Sequence, residues 1–154
     1  DVEPQMMMLE LYADIKPGSC PNPLNRKSRG VMPAALLGTM DFDVMMIDET
    51  TIEVSRADGL GGSVMPLADR FRYEDVATPF DGDQCDCHDM GPDGYMDLTM
   101  KFKTQQLVMG LELGDFLPGD VVELKFTGTL VDGTPFEAYD CIVIVPRIMV
   151  GLGL

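Results

Sequence analysis

Polar and apolar residues alternate with a period of two along much of this chain. The clearest runs are 96–102 (MDLTMKF), 119–131 (GDVVELKFTGTLV) and 132–145 (DGTPFEAYDCIVIV). A period of two sends successive side chains to opposite faces, which is the signature of strands packed on one side. Asp132-Gly133 opens the last run as a hairpin turn. Shorter strand-like runs occupy 6–15, 31–38, 42–47, 51–55 and 71–76, with a turn at Asp48-Glu49. Pro33 implies an edge position or a bulge in its strand. Pro17, Pro21 and Pro23, with Gly18 and Asn22, make 16–25 a loop, and 57–63 (ADGLGGS) is another. One short helix is predicted over 104–111, with Thr104 as N-cap and Gly110 or Gly114 near its end. Many short strands and almost no helix predict an all-β, antiparallel β-sandwich of immunoglobulin-like or Greek-key type. No internal repeat and no linker interrupt 15–145.

The 154 residues are 45% hydrophobic and 24% charged, which fits one ordered domain with its own core. The net charge of −15, from 26 acids against 11 bases, opposes binding to nucleic acid or to anionic membranes. No apolar run is long enough for a membrane span. With no leader ahead of Asp1, the chain reads as a processed product. The 13 methionines read as flexible core filler rather than as a contact surface.

Six aspartates and no Lys or Arg fall between Asp81 and Asp97 (DGDQCDCHDMGPDGYMD). Crowded carboxylates must protonate, stay apart or share a cation. Calcium is the expected occupant, because it takes six to eight oxygens in flexible geometry. Counting from Asp89 as position one of a calcium loop, Asp93 falls at five, Gly94 at six, the Tyr95 carbonyl at seven and Asp97 at nine. Gly91 at three and Met100 at twelve break the EF-hand pattern, so Asp81, Asp83 or Asp86 would complete the set. The adjacent Cys85, Cys87 and His88 could hold a soft metal, but disulfide cysteines beside a surface histidine are the preferred reading. No nucleophile turn, phosphate loop or placed carboxylate pair argues for an enzyme.

An even set of four cysteines in a turn-rich acidic chain points to an oxidising compartment. A Cys20–Cys141 bridge is preferred, worth roughly 4–5 kcal/mol by loop entropy. Cys85 and Cys87 would then pair with each other or stay reduced. The alternative links the two loop cysteines to Cys20 and Cys141.

Both ends are apolar and carry none of the charge that usually blunts a sheet edge. The stretch 1–13 is an extension ahead of a 14–145 module, and 146–154 is an apolar tail. The C-terminal tail is expected to fold on its own sandwich. The N-terminal strand, through Met8, Leu9, Leu11, Ala13 and Ile15, is expected to add to the sheet of a neighbouring copy. A head-to-tail contact of that kind builds a filament.

The stretches 14–44 (DIKPGSCPNPLNRKSRGVMPAALLGTMDFDV), 47–52, 73–80, 85–102 and 127–144 together resemble an uncharacterised β-rich module of secreted and cell-surface proteins of bacteria and archaea. The resemblance covers about 14–145 and implies an extracellular, non-catalytic module that accompanies adhesion or repeat domains. Taken together, the chain reads as an extracellular or cell-surface structural protein. It would be a calcium-stabilised, disulfide-supported subunit that polymerises with copies of itself. An adhesion or carbohydrate-binding accessory module is the alternative, weakened by the lack of tryptophan. No N-x-S/T sequon is present, so glycans could attach only through Ser or Thr.

Overall fold

The computed structural model describes residues 8–83, 85–86 and 89–145. In chain order its strands are β1 (Leu9–Glu10), β2 (Tyr12–Ile15), β3 (Pro23–Asn25), β4 (Val31–Leu37), β5 (Ile47–Arg56), β6 (Ser63–Val64), β7 (Arg72–Glu74), β8 (Asp97–Lys103), β9 (Val121–Leu130) and β10 (Pro135–Val145). One helix, α1 (Thr104–Gly110), follows β8, and two single 3-10 turns complete the set.

The strands form two sheets that are mostly antiparallel. One runs β1-β10-β9-β5-β6, with β3 also pairing β10; the other runs β2-β4-β8-β7. Alternation in β4, β8, β9 and β10 buries Met32, Ala34, Leu36, Leu98, Met100, Phe102, Leu124, Phe126, Phe136 and Ile142 between the sheets. Phe102 and Phe126, from opposite sheets, meet edge to face at 6.0 Å. This is a β-sandwich in layer terms, as the alternation predicts.

Several local expectations change. The 42–47 stretch is not a strand: Val44–Met46 forms a 3-10 turn, with the Asp43 carboxylate accepting from the Met45 N–H. The predicted turn at Asp48-Glu49 lies inside β5. It is absorbed as a shift in register against β9 between Asp48 and Glu53. Thr104 is not the helix N-cap; Lys103 holds that position, and Thr104 is buried with its N–H bonded to the Gly30 carbonyl. Pro33 sits in β4, an inner strand; the pairing of β2 stops at Ala34, and on that side Pro33, which has no N–H to donate, takes part only through its carbonyl, which accepts from the Lys16 N–H at 2.8 Å. Nor do the methionines mainly fill the core. Met32 and Met100 are buried, whereas Met40, Met45, Met65 and Met109 are more than half exposed.

Asp97 begins β8 and is fully buried. Its Oδ1 accepts from the Gly38 N–H at 2.9 Å, and its Oδ2 from Val76 and Ala77 at 2.8 and 3.2 Å. Burial raises its pKa and the three backbone donors oppose that rise. Gly38 is required beside it, because a Cβ there would lie 2.1 Å from the Met96 carbonyl oxygen. Replacing Asp97 with Ala strands three backbone donors and should cost at least about 3 kcal/mol. Thermal melting should fall by roughly 6–12 °C; a fall of a degree or two would show that the carboxylate does not organise the loop.

Candidate functional site

The N-terminal segment crosses from one sheet to the other. β1 runs parallel to β10 at Phe136 and Glu137, and the Leu11 N–H continues that pairing to the Glu137 carbonyl at 2.9 Å. One residue later the chain joins the other sheet, where β2 pairs antiparallel with β4. Further along the same edge of β10, β3 pairs in parallel with Val143–Val145. The edge of β10 between these two pairings has no strand neighbour among the described residues.

Side chains fill that gap. Phe136, Ala138, Ile142 and Ile144 are buried on the core-facing side of β10, and Asp140 holds the same alternation. Its Oδ2 accepts from the Ile15 N–H at 2.7 Å and from the Asn22 amide at 3.3 Å. Its Oδ1 accepts from the Cys141 N–H at 2.8 Å. Asn22 donates also to the Cys141 carbonyl at 3.0 Å. A carboxylate thus replaces the missing strand at the crossing.

Asp14 lies beside this knot and has no such support. It is 6% exposed, and its Oδ2 is buried without a hydrogen-bond partner. Burial, with the nearby Asp140 and Asp97 charges, pushes its pKa up to about 7.

A cleft of about 560 Å³ opens over these residues. Glu10 and Asp14 line it from the N-terminal strands, and Glu137 and Asp140 from β10. The acidic loop supplies Asp81, Asp83 and Asp86, and no Lys or Arg among the described residues lines the cleft. The loop is pinned by a Cys85–Cys141 disulfide. The Tyr12 hydroxyl donates to Asp81 at 2.7 Å, a bond that raises the tyrosine pKa.

The Cys85–Cys141 bridge replaces the expected Cys20–Cys141 pair, because Cys141 stands on the β10 edge directly beneath the loop. It matches the alternative pairing as far as Cys141 is concerned. Cys20 is disulfide-bonded too. With Cys85 oxidised, a soft-metal set of Cys85, Cys87 and His88 loses one thiolate; Cys87 and His88 lie outside the described residues.

The expected calcium ligands split into two groups. Asp81, Asp83 and Asp86 face the cleft. Further along, the Asp93 Oδ1 accepts from the Tyr95 N–H at 3.0 Å, and Asp75 accepts from the N–H groups of Asp93 and Gly94. This turn is therefore tied together by the chain's own hydrogen bonds. Asp89 is exposed beside it, and Asp97 is committed to the three backbone donors described above. No three His, Cys, Asp or Glu side chains among the described residues form a ready metal cage.

The expected assembly residues also find partners within the chain. Ile15 is fully buried, and Leu9, Leu11 and Ala13 pack against the same core, while Met8 is about half exposed. Asp14, Asp140, Glu10, Glu137 and Asp75 were not singled out from sequence. The available signal was an acid inside an apolar strand, as in ADI and YDCIVI.

The orphaned Asp14 makes stability depend on pH. An unfolded Asp titrates near 4. Between about 4 and 7 the folded chain keeps a proton that the unfolded chain has lost, so stability falls as pH rises through that window. The loss should reach roughly 4 kcal/mol in ion-free buffer. Asp14→Asn should flatten this slope and melt higher than the parent at pH 8. Melting curves of the two proteins that stay parallel from pH 4 to 8 would assign the slope elsewhere.

No protein-family model and no curated protein matches this chain.

Proposed function

We propose that this chain is an extracellular structural module that joins to copies of itself by exchanging its N-terminal segment, 8–15. The observation carrying this reading is the crossing itself: one short segment supplies an edge to both sheets. Those edges are already filled by the chain's own strand, so assembly would proceed by exchange rather than by addition to an open edge. Exchange keeps every backbone bond and needs only the connection to open, which makes it an inexpensive route to oligomers.

The connection is suited to that role. Lys16 has φ of +52° and Gly18 of +87°, with Pro17 between them, so the chain turns sharply just after β2. Cys20, disulfide-bonded, lies immediately beyond. The segment ahead of it can swing while the body stays anchored. Disulfides at Cys85–Cys141 and at Cys20 support an oxidising, extracellular setting. No helix among the described residues is long and apolar enough to cross a membrane.

The finer fold reading is an immunoglobulin-type sandwich. Taking β2, β4, β5, β7, β8, β9 and β10 as strands A to G, one sheet runs A-B-E-D and the other holds G-F-C. The parallel pairing of β1 with β10 adds the short extra edge from the N-terminus. The resemblance of 14–145 to a secreted module is consistent with this class.

Removing residues 1–15 tests the exchange. The truncated chain loses the burial of Leu9, Leu11 and Ile15, worth about 5 kcal/mol. It should be monomeric by light scattering under conditions where the full chain assembles, and a synthetic 1–15 peptide should bind it and restore its melting temperature. Assembly of the truncated chain equal to that of the full chain would refute the reading, as would a full chain that stays monomeric at every concentration.

A further inference from the structure

We propose that the cleft beneath the acidic loop is a calcium site, with the buried Asp14 carboxylate as its inner ligand and Asp81 and Asp83 around it. Acidity alone would not carry this, since exposed carboxylates are often just hydrated. The deciding feature is the Asp14 Oδ2, buried and without a hydrogen-bond donor, in a residue that lines the cleft. A buried anionic oxygen without a partner is costly and calls for a proton or a cation. The Asn22 Oδ1 is a second buried oxygen without a donor, on the side chain that holds the cleft residue Asp140.

The chemistry of the lining selects the ion. Among the described residues, every side chain lining the cleft that could ligate offers oxygen, and the cysteine among them, Cys85, is oxidised. Oxygen-only donors suit a hard cation rather than zinc or copper. The carboxylates surround the space without converging, and about 560 Å³ leaves room for bound water. Calcium tolerates such an irregular, partly hydrated shell, whereas magnesium demands near-ideal octahedral geometry.

This location differs from the turn that the calcium-loop spacing suggests. There the chain's own N–H groups already engage Asp93 and Asp97. An ion in the cleft would tie the N-terminal strands to the loop and to β10 at once. The proposal does not rest on strand exchange, and ion binding is read on the chain whether or not it assembles.

The test uses the full chain and terbium as a calcium stand-in. The chain has no Trp, and two of its four Tyr, Tyr12 and Tyr139, line the cleft, so an ion held there is excited through tyrosine; Tyr95 lies in the downstream turn, and the variants below tell the two places apart. Terbium emission should appear and be displaced by calcium with a Kd on the order of 0.1–1 mM, the range of extracellular calcium modules. Calcium should also raise the melting temperature in proportion to saturation. Asp14→Asn should weaken calcium competition by at least about tenfold, because it removes the charge of the inner ligand. Asp89→Asn, in the exposed turn downstream, should leave it unchanged. If Asp14→Asn does not fold, Asp83→Asn, exposed on the loop, should weaken binding severalfold. The proposal is overturned by unaltered calcium affinity in Asp14→Asn, by loss of binding in Asp89→Asn alone, or by no emission and no melting shift up to about 10 mM calcium.

Discussion

The architecture depends on one substitution of side chain for backbone, at Asp140. A chain that leaves one sheet and joins the other cannot keep its ladder through the crossing, so a backbone donor is left over. Buried donors without acceptors cost on the order of 1–3 kcal/mol each. Asp140 meets that donor, the Ile15 N–H, and also holds Asn22 and its neighbour Cys141. That anchor lies between β1 and β3 on one edge of β10, where the chain crosses to pair as β2 with the other sheet.

The anchor carries an electrostatic burden. Asp140 brings negative charge to the place where Asp14 is already buried, and the loop above adds three more aspartates. In a chain with net charge −15, no lysine or arginine among the described residues comes to this cleft. Arg56, a buried cation, is spent elsewhere: it pairs with Asp58 at 2.6 Å and lies 4.6 Å over the Phe116 ring. The Cys85–Cys141 bridge therefore holds an acidic loop over an acidic seam. A covalent link keeps together what Coulomb repulsion alone would separate, and a cation would turn that repulsion into cohesion.

The same seam links the acidic loop to the N-terminal segment. Tyr12 reaches up to Asp81 and Ile15 reaches across to Asp140, and Asp14 lies on the same segment, so a cation held in the cleft would tie that segment more firmly to the loop and to β10. The charge state of a few carboxylates would thus bear on whether the strand stays with its own body.

Period-two alternation was enough to locate β8, β9 and β10, because a strand with one buried face must alternate whatever its neighbours are, while β4 was legible as a short apolar run. The Asp132-Gly133 hairpin was legible for the same local reason, and Gly133 does take a left-handed φ of +90°. The acidity of 81–97 was plain from composition, yet its division into a cleft-facing part and a self-bonded turn was not. Asp75 and Asp14 are distant in sequence from the groups they meet, and no spacing rule connects them. The disulfide partner of Cys141 likewise depends on which loop lies over β10. What the sequence determined by itself was the set of strands and the surplus of negative charge, since both are local or additive properties. Only the tertiary structure decided that an N-terminal strand closes its own two sheets and that Asp14 is buried without a donor, because both depend on contacts between segments more than a hundred residues apart.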